Sequence, residues 1–195
     1  MPVGRISYIY IEPFSFEEFL LALNEAMLLD YIRNVNITLK IPQALHSKLR
    51  NIFNLYCHVG GMPACVSKWI ETQTFSNVIA VQEDLLATYK DDFHKYKGRL
   101  DVTKLLTILR SIPHQLGQKF KYSKVDPTIQ SPAAKQIIML FNQAKICHNV
   151  QLTSANTLPL NAEVKEKAFK QIFLDIGLIK CMLSTPFLLK NSKNT

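Results

Sequence analysis

Glycine is scarce, with 6 in 195 residues. No G-x-x-x-x-G-K-[ST] run occurs, so the chain has no glycine-rich backbone cradle for phosphates. The one adjacent pair, Gly60-Gly61, is followed by Met62-Pro63 and reads as a helix stop. A G-x-S-x-G elbow and an H-E-x-x-H pair are also absent. The 4 cysteines, Cys57, Cys65, Cys147 and Cys181, form no C-x-x-C pair. Their apolar or mixed surroundings fit buried free thiols rather than a zinc site. The 5 histidines are scattered singly. Adjacent carboxylates occur at Glu17-Glu18, Glu83-Asp84 and Asp91-Asp92. On a helix such neighbours point about 100° apart and do not converge on one atom. No catalytic residue and no metal ligand is therefore expected, and this chain is not expected to be an enzyme by itself.

Long apolar runs are missing too. The richest stretch, Phe19 to Ile32, is interrupted by Asn24, Glu25 and Asp30, short of the roughly 18–20 residues a bilayer span needs. The N-terminus carries no charged region followed by an apolar stretch and a small-residue cleavage site. These absences predict a cytoplasmic chain with no membrane partner.

Positive charge is unevenly placed. Residues 1–99 hold 10 Lys+Arg against 10 Asp+Glu, whereas residues 100–195 hold 13 against 5. The formal net charge of +8 thus sits entirely in the second half. Such a bias suits either an acidic partner or a solvated basic surface.

Ile6-Ser7-Tyr8-Ile9-Tyr10-Ile11 is apolar on both faces, which predicts a strand buried on both sides of a sheet. Ser15-Phe16-Glu17-Glu18 is a capping box that predicts a helix from Phe16 to about Ile32. Pro42 opens a second helix with Leu45, Leu49, Ile52 and Tyr56 in its stripe, and Gly60-Gly61 ends it. A short helix from Val66 to Ile70 and a longer one from about Asn77 to Tyr96 complete an all-α unit. In the second half, Asp101 caps a helix that Pro113 ends, and Ser131-Pro132 open another. Strand-like runs follow at Asn149–Thr153 and Phe169–Leu174, separated by a polar segment. Helix, turn, helix and a β-hairpin with a long tip is the order of a winged helix-turn-helix. Lys119, Lys121 and Lys124 before its second helix, and Lys135 and Lys145 on it, are the candidate nucleic-acid contacts. Phe120 and Tyr122 lie among them, with Gln136, Asn142 and Gln143 as candidate readers of base edges.

Pro13-Phe14-Ser15-Phe16-Glu17-Glu18-Phe19 resembles a Pro-Leu-Ser-Phe-x-Glu-Phe pattern that follows the last core strand in a family of prokaryotic AAA+-type ATPases. The resemblance continues through Tyr56–Val66, similar to a Gly-Gly-x-Pro segment of the family's helical lid. It extends over Tyr89–Tyr96 and Ser111–Val125. It ends in Phe169–Ile179, where Lys170, Asp175, Gly177 and Leu178 match a Lys-x-x-x-x-Asp-x-Gly-Leu motif.

This resemblance implies a mainly α chain in three parts. Residues 1–35 would be the edge strand and helix of an AAA+ core, 36–98 the helical lid, and 99–190 a winged-helix-like domain with a β-hairpin. It implies ATP and Mg for the intact family member and no cofactor for this chain, because the P-loop and the acidic magnesium-site strand lie upstream in the family. The chain is accordingly expected to be an N-terminally truncated, C-terminal part of such a protein. Arg5, Gly60 and Gly61 are the remaining candidates for a nucleotide-facing surface. Expected partners are DNA or another protein through the basic C-terminal half, and a second copy through the exposed core edge. The alternative is a standalone winged-helix adaptor that binds DNA or a partner protein.

Overall fold

The structure, a computed structural model, describes residues 7, 9–36, 41–93, 101–156 and 158–184. It is mainly helical, with a small antiparallel sheet near the C-terminal end. Helix α1 (Phe16–Ala22) begins at the capping box: the Ser15 N–H donates to Glu18 at 2.7 Å, and the Glu18 N–H donates to Ser15 Oγ at 3.3 Å. Both exchanges satisfy helix-end donors that would otherwise face water.

The single helix predicted from Phe16 to Ile32 is instead two. Asn24 turns into the left-handed region at φ 58°, and α2 (Ala26–Asn34) starts afresh. Asparagine tolerates that conformation better than most residues. The break folds α2 back so that Leu28 and Leu29 close a small core with Leu20 of α1.

Helix α3 (Gln43–Val59) follows Pro42, and its Leu45, Leu49 and Ile52 cover that core. Pro63 then starts α4 (Pro63–Thr72), which is longer than the Val66–Ile70 stretch that the sequence predicts. Helix α5 (Phe75–Phe93) brings Val78 to a second core with Phe19, Val59, Cys65, Val66 and Trp69. Tyr96 and Gly98, expected at the end of α5, lie outside the described residues.

Asp101 caps α6 (Val102–Ser111), accepting the Thr103 N–H at 2.9 Å. Two 3-10 turns, Pro113–Gln115 and Tyr122–Lys124, lead to α7 (Ser131–Gln143). Strands β1 (Cys147–Thr153) and β2 (Val164–Phe173) pair antiparallel, from Cys147 opposite Phe173 to Thr153 opposite Val164, with an irregularity between Gln151 and Leu152. Both strands are longer than predicted. The Phe120 N–H donates to the Phe169 carbonyl at 2.8 Å, which fastens the segment before the second 3-10 turn to β2. Helix α8 (Ile176–Met182) was not expected from periodicity, because it is only two turns long.

The largest core joins Leu105, Ile108 and Leu109 of α6 with Ile137, Ile138 and Phe141 of α7. Phe169 and Phe173 from β2 and Leu178 from α8 complete it, and Leu86 and Phe93 of α5 belong to it as well. Hydrophobic packing thus continues across the boundary expected at residue 98.

The predicted N-terminal strand is not formed among the described residues. Ser7 and residues 9–12 have no strand pairing, and Ile9 and Ile11 are 87% and 90% exposed. The physical reason is that no neighbouring strand stands beside it among the described residues, and a strand needs a second strand to satisfy its backbone. Ile6 and Tyr8 lie outside the described residues. No helix among the described residues is long and apolar enough to cross a membrane.

Phe141 is fully buried where α6, α7 and β2 meet, whereas Met139 on the same helix is half exposed. Phe141→Ala should cost about 3–5 kcal/mol of stability through lost burial and a cavity. Met139→Ala should stay within about 0.5 kcal/mol. Urea unfolding of both variants checks the contrast.

Candidate functional site

The residues singled out at the end of α3 converge on one buried carboxylate. Gly60 turns the chain out of the helix at φ 80°, and its N–H is bonded to the Tyr56 carbonyl at 2.7 Å. The Gly61 N–H donates to Asp175 Oδ2 at 2.6 Å, and the Leu178 N–H donates to Asp175 Oδ1 at 2.9 Å. On its other side the Gly61 carbonyl accepts the Phe14 N–H at 2.7 Å, and the Tyr56 hydroxyl donates to the Phe14 carbonyl at 2.7 Å. Three separate segments therefore meet at the glycine pair.

Glycine is required by distance as well as by φ. A Cβ at Gly61 would lie 2.2 Å from the Phe14 carbonyl oxygen, and one at Gly177 would lie 2.6 Å from the Val59 carbonyl oxygen. Real side chains do not approach backbone so closely, so neither position accepts one without a shift of the main chain.

Asp175 is only 4% exposed. Burial pushes its carboxyl above the usual carboxylate range, against the lowering effect of N–H groups from Gly61, Leu178 and Gly177. Tyr56 in turn is raised by its own burial and then by the Asp175 charge. No ion pair to Asp175 exists among the described residues. The arrangement can hold a turn and a helix start together, and it exposes no free N–H to a phosphate. Gly60 and Gly61 are buried, with their N–H groups bonded within the chain. Arg5 lies outside the described residues.

The basic candidates lie on the surface. Lys119, Lys121, Lys124, Lys135 and Lys145 are all exposed. Among the described residues Lys119, Lys121, Lys124 and Lys135 form no ion pair, while the Lys145 ammonium sits 4.9 Å above the Tyr10 ring. The aromatics between them turn inward: Phe120 is buried and stacks on Phe169 at 5.6 Å, with Tyr122 against its edge. Phe120 is thus a core residue, and Tyr122 is half-buried against it. Gln136 and Gln143 are exposed, whereas Asn142 Oδ1 accepts from the buried Gln171 side-chain amide at 2.8 Å.

Two of the four thiols expected to be buried are so, and Cys57 and Cys181 are half-buried. Cys65 and Cys147 are buried, and desolvation pushes both up to about 12, which keeps them protonated. No cluster of His, Cys, Asp and Glu suited to a metal occurs among the described residues. Sequence reasoning did not pair Asp175 with the glycine turn. The usable signal was Asp175-x-Gly177, a helix cap followed by a residue with no side chain, but nothing local says what the cap touches.

A family model described as a domain of unknown function, DUF8612, matches residues 50–188. The chain belongs to the DUF8612 family. The matched DUF8612 region opens inside α3 and closes just past α8, so both sides of the Gly61–Asp175 contact fall within it. No curated protein and no solved structure gives a significant match.

The raised Asp175 pKa fixes the sign of a pH effect. Stability from this group is full below the unfolded value, about pH 4, and is lost as pH rises through the folded value. Asp175→Asn removes that titration, and it turns one amide NH2 toward a backbone donor, at a cost of about 1–3 kcal/mol. The stability deficit of this variant should be largest below about pH 4 and shrink as pH rises. Unfolding curves of both proteins across that range check it.

Proposed function

We propose that this chain is the helical-lid and winged-helix-like part of an AAA+-type ATP-binding protein and does not itself hydrolyse ATP. The observation that carries the reading is the clasp around Asp175. Three segments that resemble the ATPase family, Pro13–Phe14, Gly60–Pro63 and Asp175–Leu178, are joined at Gly61, whose carbonyl accepts the Phe14 N–H and whose N–H donates to the Asp175 carboxylate. Segments chosen for resemblance alone have no reason to meet across 114 residues of sequence, yet these do.

Two further features support it. The order α6, 3-10 turn, α7 and β-hairpin resembles that of a winged helix, and the Phe120–Phe169 backbone bond ties the segment before α7 to the hairpin. Ile9, Tyr10 and Ile11 are exposed, unpaired and apolar, the chemistry of a strand that belongs beside a larger sheet. The described residues do not fit a nucleotide: Gly60 and Gly61 are occupied, and the sequence has no P-loop. ATP and Mg belong, on this reading, to a P-loop module outside these residues.

The test is the species that carries this chain in its native cell, captured with an antibody and read by mass spectrometry. A G-x-x-x-x-G-K-[ST] peptide is expected, on the same polypeptide or on a tightly bound partner. The isolated chain should hydrolyse ATP no faster than background. A native species without such a peptide, or an isolated chain that turns over ATP, overturns the reading.

The unpaired lysines favour a second reading, a winged-helix adaptor on DNA. Its duplex affinity would fall linearly with the logarithm of salt concentration. Replacing Lys119, Lys121 and Lys124 with Ala should make that slope shallower by about 3, one unit for each phosphate no longer neutralised. Duplex titrations at several salt concentrations read the slope, and an unchanged slope removes the DNA reading.

A further inference from the structure

A cavity of about 500 Å³ opens between α5, α6 and the end of α8. Glu83, Leu86 and Lys90 face it from α5, at the i, i+3 and i+7 spacing of one helix face. Leu106, Leu109 and Arg110 face it from α6, and His114 stands at the rim in the first 3-10 turn. Cys181 and Met182 close the α8 side.

The lining is divided by depth. Leu86 and Leu109 are buried and form an apolar floor, while Glu83, Lys90, Arg110 and His114 are exposed around the mouth. Glu83, Lys90 and Arg110 form no ion pair with other described residues. Cys181 registers two of them: burial raises its thiol first, Glu83 raises it further and Lys90 lowers it. A carboxylate and two cations around one apolar floor leave a net positive mouth.

We propose that this cavity binds a small amphipathic anion, a carboxylate or phosphate head on an apolar body, with Arg110 and Lys90 at the head and Leu86, Leu109 and Met182 around the tail. Its size is in the range of small-molecule sites, which are mostly apolar with a few placed polar groups. Arginine suits the head because its fork matches both carboxylate and phosphate oxygens. Glu83 opposes the head and restricts the site to ligands whose charge Arg110 and Lys90 can outweigh. The inference stands apart from the proposed ATPase relationship, since none of these residues belongs to the Asp175 clasp.

The experiment titrates the full chain calorimetrically with dodecanoate, dodecyl phosphate and dodecyltrimethylammonium, each below its micelle concentration. Expected is one-to-one binding of an anionic probe, weakened about tenfold or more by Arg110→Glu or Lys90→Glu, as loss of a charged hydrogen bond implies. Glu83→Gln should bind no more weakly than the parent chain. The two anionic probes separate a carboxylate from a phosphate preference. Bound probe should also slow iodoacetamide alkylation of Cys181, read peptide by peptide, while leaving Cys57 unaffected. Any of four results overturns the proposal: no saturable binding of either anion, equal binding of the cationic probe, no loss in both charge-reversed variants while they remain folded, or no protection of Cys181.

Discussion

One carboxylate joins the end of α3 to the start of α8. Asp175 begins α8 by accepting the Leu178 N–H, and with its other oxygen it accepts the Gly61 N–H beyond the end of α3. A buried carboxylate is costly unless its oxygens are bonded. Here the bonds come from backbone rather than from a cation, so their geometry is set by main chain. Gly177 and the glycine pair let the two backbones approach, and Phe14 closes the far side through Gly61 and Tyr56. Helices α1, α3, α4 and α8 all begin or end beside that contact.

Around it the apolar side chains divide into three clusters. The two smaller ones organise α1 to α4 with the start of α5, and the largest takes the rest of α5 with α6, α7, both strands and α8. Helix α5 is therefore the shared wall. Its first half faces Val59 and Trp69, and its second half faces α6 and α8. Gln82, near the middle of α5, is buried and donates to the carbonyls of His58 and Val59, which ties the shared wall to the end of α3 just before the glycine turn.

Much of the local structure was legible in the sequence. The Ser15–Glu18 box, Pro42, the Gly60 stop, the Asp101 cap and Pro132 in the first turn of α7 each act through neighbours within a few residues, and each appears where the pattern placed it. The hairpin was legible because β-branched and aromatic residues cluster in both runs. What failed depended on distant partners. Asn24 looks like one polar position in an amphipathic helix, and only the need to bring Leu28 and Leu29 onto Leu20 makes it a break. Ile9 to Ile11 read as a strand of a sheet, and with no partner strand among the described residues they stay unpaired and exposed. Lysines 119, 121, 124, 135 and 145 lie on the surface, whereas Phe120 among them is buried, which spacing alone did not show. The Gly61–Asp175 bond joins residues too far apart for any spacing rule to connect.

The continuity of the largest core across α5 and α6 carries one more consequence. Leu86 and Phe93 leave their helix to pack among residues that come after Asp101. A chain severed between Phe93 and Asp101 would divide that core, leaving each fragment with apolar surface that only the other can cover. The two fragments would then behave as complementary halves, each incompletely folded alone and each the template on which the other regains its structure.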